Sequence, residues 1–147
     1  MSDEDLRSLE RAAASDETAR LKLAEALLRL KGAKPALEAL RPLLEGETDT
    51  AGLARRRGLA IALSANLVEG RVAVAQTLAK IFGERLSSID EVCEMIRETP
   101  PSATAVRVIL VRALRGRSKR ASIALAQELP ASDPLRGILG AEGEVVI

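Results

Sequence analysis

The sequence predicts an all-α protein built from antiparallel helical hairpins. Three observations predict it. The apolar 47% of the chain is nearly all Ala, Leu, Val and Ile, with one Phe and no Tyr or Trp, a composition rich in strong helix formers and lacking the aromatics that favour strands. Apolar residues recur at i, i+3, i+4 and i+7 along most of the 147 residues, the spacing of one helix face. Gly, Pro and capping residues break this pattern often, and the breaks are only a few residues long, which makes consecutive helices antiparallel neighbours.

The elements follow in order. Ser2 is placed to cap a first helix whose opening turn carries Asp3, Glu4 and Asp5, with Leu6, Leu9 and Ala13 as its narrow apolar face. Ser15 is the expected cap of the second helix, which Gly32 ends; Leu23, Ala24, Leu27 and Leu30 form one stripe, Leu21 and Leu28 another. Pro35 suits a first helical position, Ala36, Leu37, Leu40, Leu43 and Leu44 make the next core face, and Pro42 should kink that helix. After the polar break Glu47–Thr50, with a cap at Asp49 or Thr50, "AGLARRRGLAIALSANLVEG" runs from basic to nearly all apolar, so its second half is expected to be the most buried helix, closed at Gly70. Val74, Ala75, Leu78, Ala79 and Phe82 mark a further core face ended by Gly83. Ile89, Val92, Cys93 and Ile96 mark another, stopped by Pro100–Pro101. "SATAVRVILVRALRG" is apolar around most of its circumference, with Thr104, Arg107, Arg112 and Arg115 on one stripe. "SKRASIALAQELP" and the short "SDPLRGILG", with Pro134 in its first turn, complete roughly eight or nine helices. Residues 1–140 are expected to form a single helical repeat domain. Residues 141–147 form a C-terminal tail without helical pattern, either flexible or added as a strand.

Three segments share one form: an apolar helix, a turn near Gly, then a second helix with small or apolar residues at set offsets. They are "ARLKLAEALLRLKGAKPALEALRPLLE", "RGLAIALSANLVEGRVAVAQTLAKIFG" and "VRVILVRALRGRSKRASIALAQELPASDP". Gly116–Arg117, Ala121, Leu125, Leu129 and Asp133–Pro134 stand in the third where Gly70–Arg71, Ala75 and Phe82 stand in the second, and Gly32 and Ala36 in the first. Over about residues 16–134 this pattern resembles the tetratricopeptide repeat, a helix–turn–helix unit. The resemblance implies a short right-handed α-solenoid, or a compact bundle of the same hairpins, whose groove binds a partner's peptide or helix. The version of the repeat that clamps an acidic C-terminus uses Lys and Asn on successive first helices; Asn66 is the only Asn here, and the clamp is not supported.

Charge and composition narrow the function. Net charge is +1, so no global field draws the chain to nucleic acid or membrane. Residues 1–50 hold 8 basic and 11 acidic groups, and residues 101–147 hold 7 and 4, a shift from net −3 to net +3. There is no His, which removes the commonest general base, the Ser-His-Asp arrangement and nearly all zinc-site designs. Cys93, the only cysteine, lies on an apolar stripe beside Glu91 and Glu94, and acidic neighbours raise a thiol pKa. Asp90, Glu91, Glu94 and Glu98 read as a solvated acidic face rather than a metal site. No glycine-rich phosphate loop is present. No catalytic residues, metal or cofactor are therefore expected. The lone cysteine and the acidic, polar N-terminus point to a cytoplasmic protein. The longest apolar-rich run, Gly58 to Val68, is too short to span a bilayer.

One stretch concentrates basic charge. "VRALRGRSKRASIAL" carries five cations between Arg112 and Arg120, with no acidic residue from Thr99 to Gln127. Helical-hairpin chemistry accounts for part of it: Arg112 and Arg115 in a last turn, Gly116 for a left-handed turn, Ser118 as the next cap. It does not account for Lys119 and Arg120 in a first helical turn, where anions rather than cations are favoured. Arg107, Arg112, Arg115, Arg117, Lys119 and Arg120 are thus the candidate partner- or anion-binding residues. The expected function is a non-catalytic protein–protein interaction module that holds a partner helix or peptide in a groove between hairpins. Two alternatives stand beside it: a nucleic-acid or anion-binding module using the 107–120 stripe, and an accessory helical domain of a larger protein such as an ATPase. Self-association is a further expectation, since terminal repeats need capping.

Overall fold

The computed structural model describes residues 2–45, 53–81 and 89–146. Among these residues are eight helices: α1 (Asp3–Ala13), α2 (Glu17–Lys31), α3 (Ala33–Glu45), α4 (Leu53–Val68), α5 (Val72–Ile81), α6 (Ile89–Glu98), α7 (Thr104–Arg117) and α8 (Lys119–Glu128). The fold is all-α, and consecutive helices pack against each other in stacked pairs, as a helical repeat would have them. The chain divides into two compact units, Met1–Val72 and Ala73–Ile147.

In the first unit α1 packs on α2, α2 on α3, α3 on α4, and α2 also on α4. Leu6, Ala13, Leu23, Ala26, Leu27 and Ala36 form a core cluster, with Leu9, Leu28 and Ala39 against it. Leu40, Leu59 and Leu63 are fully buried. Gly58 makes this packing close: a Cβ there would lie 3.3 Å from Leu40 Cδ2 and 3.7 Å from Leu21 Cδ2, so the absent side chain lets α4 approach both neighbours. Arg20 donates to the carbonyls of Ala13 and Ala39, at 2.9 and 3.0 Å, and so ties the end of α1 to α3 using an orphan helix carbonyl.

The helix ends are partly as the sequence predicts. Ser2 caps α1 through a reciprocal capping box with Asp5. Gly32 ends α2 at φ 97°. Asp16, not Ser15, caps α2 by accepting from the Thr18 amide at 3.0 Å; the Ser15 amide is still bonded to the Ala12 carbonyl, in the turn that closes α1. α3 begins at Ala33, two residues before Pro35, because the Glu69 carboxylate accepts from the Ala33 amide at 2.5 Å and supplies a cap from outside the segment. The helix runs through Pro42 to Glu45. Leu30, expected in the core, is 54% exposed. The caps expected at Asp49 or Thr50, and Phe82 and Gly83, lie outside the described residues.

In the second unit α7 packs against both α6 and α8. It buries Val106, Arg107, Val108, Ile109, Leu110, Val111 and Leu114. α6 contributes Val92, Met95 and Ile96, and α8 Ser122 and Leu125. α5 buries only Ala75 and Ala79; Val74, expected in the core, is exposed, as is Ile81. After α8 the chain makes a 3-10 turn at Arg136–Ile138, where a short helix was expected, and then folds back through an isolated antiparallel bridge between Leu139 and Val145. Burial of the Ser122 side chain against the Gly143 carbonyl, at 2.7 Å, fastens this tail to α8.

Candidate protein-docking surface

The α7–α8 turn is tighter than its sequence suggests. α7 continues through Gly116 to Arg117, so Gly116 is helical and not left-handed. Ser118 alone makes the turn. Its amide donates to the Leu114 carbonyl at 2.8 Å, closing α7, while its hydroxyl accepts from the Ala121 amide at 3.1 Å, opening α8. One residue serves both helix ends because its extended backbone, φ −152°, reverses the chain without leaving an unpaired cap.

This turn sorts the six sequence-predicted residues into separate places. Arg107 is not on the surface. It is 2% exposed, and its guanidinium donates to both carboxylate oxygens of Asp133, at 2.6 and 2.9 Å. That hydrogen bond holds the Asp133 carboxyl below the usual carboxylate range, against the opposing effect of burial. Asp133 also accepts from the Leu135 amide at 2.9 Å, which starts the turn before the tail.

Arg115 and Lys119 are brought together, and by a residue from the tail. Glu142 Oε2 lies 3.0 Å from Lys119 Nζ and 3.9 Å from Arg115 Nη2. The main-chain carbonyl of Glu142 also accepts from Arg115 Nε at 3.4 Å. The Lys119 hydrogen bond is the first cause that lowers the Glu142 pKa, with the Arg115 charge adding to it. Arg112, Arg117 and Arg120 are exposed. No carboxylate among the described residues lies within ion-pair distance of Arg112 or Arg120.

Arg112 faces a second feature. Together with Gln76, Lys80, Ile109, Ala113 and Gly116 it lines a cleft of 250 Å³ between α5 and α7. Its floor is apolar, from Ile109 and Ala113, and its rim carries two cations. Gly116 leaves the α7 end of the cleft open, since nothing lies within 4 Å of where its Cβ would be. Sequence reasoning singled out Arg112 but missed Gln76, Lys80, Asp133 and Glu142. The signal that could have found the two acids was the acid-free run from Thr99 to Gln127, in which any cation drawn into the interior must pair with a carboxylate from another segment.

Cys93 sits between α6 and α8, in a cleft lined by Ile89, Asp90, Arg97, Ala121 and Glu128 among others. Burial pushes its thiol up, with Arg97 opposing. Arg97 bridges this cleft to Glu128, at 3.0 and 3.1 Å, and also reaches Glu94 at 3.4 Å. Among the described residues no three acidic or thiol side chains are grouped to hold a metal, and no helix is long and apolar enough to cross a membrane.

Fold and surface together define an all-α protein of stacked helical hairpins in which the basic α7–α8 hairpin adjoins a cleft between α5 and α7. Comparison with protein families, curated proteins and solved structures finds no match for this chain.

Proposed function

We propose that this chain is a non-catalytic docking module of the tetratricopeptide-like kind, acting in the cytoplasm, that binds a helix or peptide of another protein. The α5–α7 cleft carries the reading. It offers an apolar floor at Ile109 and Ala113, beside a helix that leaves Val74 and Ile81 exposed, and a cationic rim at Arg112 and Lys80. A domain rarely leaves an apolar helix face uncovered unless something covers it. An amphipathic helix fits such a groove through anchors at i, i+3, i+4 and i+7, and acidic residues flanking those anchors would meet the rim.

The test is selection of helical peptides from a displayed library on the folded protein. Selected sequences are expected to share that apolar spacing with flanking Asp or Glu, and an Ala113→Trp variant, which fills the cleft floor, should lose them. Peptides without a shared pattern, or binding unchanged by A113W, would remove the cleft as the docking site.

A further inference from the structure

At the α7–α8 turn two cations meet an acidic side chain of the chain's own tail. The tail from Leu139 to Val146 is a built clasp rather than a trailing end. Gly140 donates to the Glu144 carbonyl and Val146 to the Ile138 carbonyl, each at 2.8 Å. Ser122 holds the Gly143 carbonyl from a buried position. Gly143 has φ 73°, and a Cβ there would come within 2.7 Å of Ser122, so only glycine lets the tail lie this close to α8. The clasp delivers Glu142, whose carboxylate meets Lys119 and Arg115.

The chemistry of this seat is that of a peptide. It takes two groups from one residue, the carboxylate at Lys119 and the main-chain carbonyl at Arg115 Nε. The Ser118 hydroxyl already takes the Ala121 amide, so part of the helix terminus that would suit a phosphate is used within the chain. Arg112, three residues before Arg115 and on the adjoining part of the helix surface, has no carboxylate partner among the described residues and lines the neighbouring cleft.

We infer that Arg115 and Lys119 form a seat for an acidic segment of the partner protein, and that Glu142 fills it in the free chain and is displaced on binding. This rests on the docking reading and names the partner's chemistry. The clasp then acts as an internal competitor: it occupies Arg115 and Lys119 when the chain is alone and lowers their affinity for weakly acidic surfaces.

The experiment is fluorescence polarisation of a labelled oligoglutamate peptide, and of a labelled DNA duplex, against the full chain. Glu142→Ala should bind oligoglutamate about two- to fivefold more tightly than wild type, the range that the loss of an exposed competing ion pair supports. Adding Arg115→Ser and Lys119→Ser to that variant should abolish the gain. Hydrogen exchange at the Gly140 and Val146 amides should speed up when the peptide is added to wild type. Equal affinity of E142A and wild type, or unchanged exchange, would overturn the competition. Tighter binding of DNA than of oligoglutamate, weakened steeply by salt, would make phosphate the occupant and overturn the peptide seat. If helical peptides still depend on Ala113 while E142A has no effect, the seat falls and the docking cleft stands.

Discussion

Arg107 on α7 is held by Asp133, 26 residues later, through paired hydrogen bonds of 2.6 and 2.9 Å in a site where both side chains are at most 9% exposed. The pair crosses from α7 to the segment that launches the tail. Arg107 Nε remains without a partner in the same site. The pair thus fixes where the chain goes after α8, at a desolvation cost that its own attraction must offset.

Removing one partner should therefore cost more than removing both. Asp133→Ala is expected to lower unfolding free energy by roughly 3 kcal/mol, because it leaves a buried guanidinium uncompensated. Arg107→Leu combined with Asp133→Ala should recover part of that loss. Urea denaturation of the two single variants and the double variant measures the coupling. Additive losses would show that the pair carries no interaction energy.

The same pair makes stability depend on acid. Arg107 holds the folded Asp133 carboxyl below its ordinary value, so the folded state favours the ionised form more than the unfolded state does. That contribution is complete above the unfolded aspartate pKa, about 3.9, and is lost as pH falls from there through the folded value. Wild type should lose stability between about pH 5 and pH 2 more steeply than Asp133→Asn. Asp5 and Glu142, whose carboxyls are also lowered by hydrogen bonds from Ser2 and Lys119, give both proteins a common background. Parallel pH profiles would remove Asp133 as the source.

Two glycines that look alike in sequence should respond in opposite directions. Gly116 is helical with open space around its Cβ position, whereas Gly70 has φ 78°. Gly116→Ala should stabilise by about 0.5–1 kcal/mol from helix propensity. Gly70→Ala should destabilise by about 1 kcal/mol, since an L-residue is strained at positive φ. Thermal melts of the two variants decide it, and the same sign in both would contradict the assigned backbone.

Cys93 should react slowly with a thiol reagent such as a chromogenic disulfide at neutral pH. It is 8% exposed and burial raises its thiol, so the thiolate is both scarce and covered. Its rate in the folded protein should fall at least about tenfold below that in denaturant, and equal rates would place the thiol in solvent.

The elements were largely legible because their signals are local. Ala and Leu at helical spacing, the Ser2 and Ser118 caps and Gly32 at a left-handed terminus act over a few residues, and each lies where local chemistry places it. Boundaries failed where a distant group supplied the cap, as Glu69 does for Ala33. Core assignments failed at Leu30 and Val74, because periodicity shows which residues share a face but not whether another helix covers it.

What the sequence by itself determined is the class: an all-α chain of short-linked hairpins, set by propensity and period, with its cations concentrated between Arg107 and Arg120. What only the tertiary structure decided is how those cations are used. Arg107 and Arg115 lie on one helix eight residues apart, yet Asp133 draws the first into the interior while Glu142 meets the second at the surface. Both acids come from beyond α8: Asp133 is placed by the turn that follows that helix, and Glu142 by the tail folding back onto Ser122 at Gly143. Charge acts through space rather than along the chain, so the pattern of basic residues could mark the hairpin but could not assign its partners.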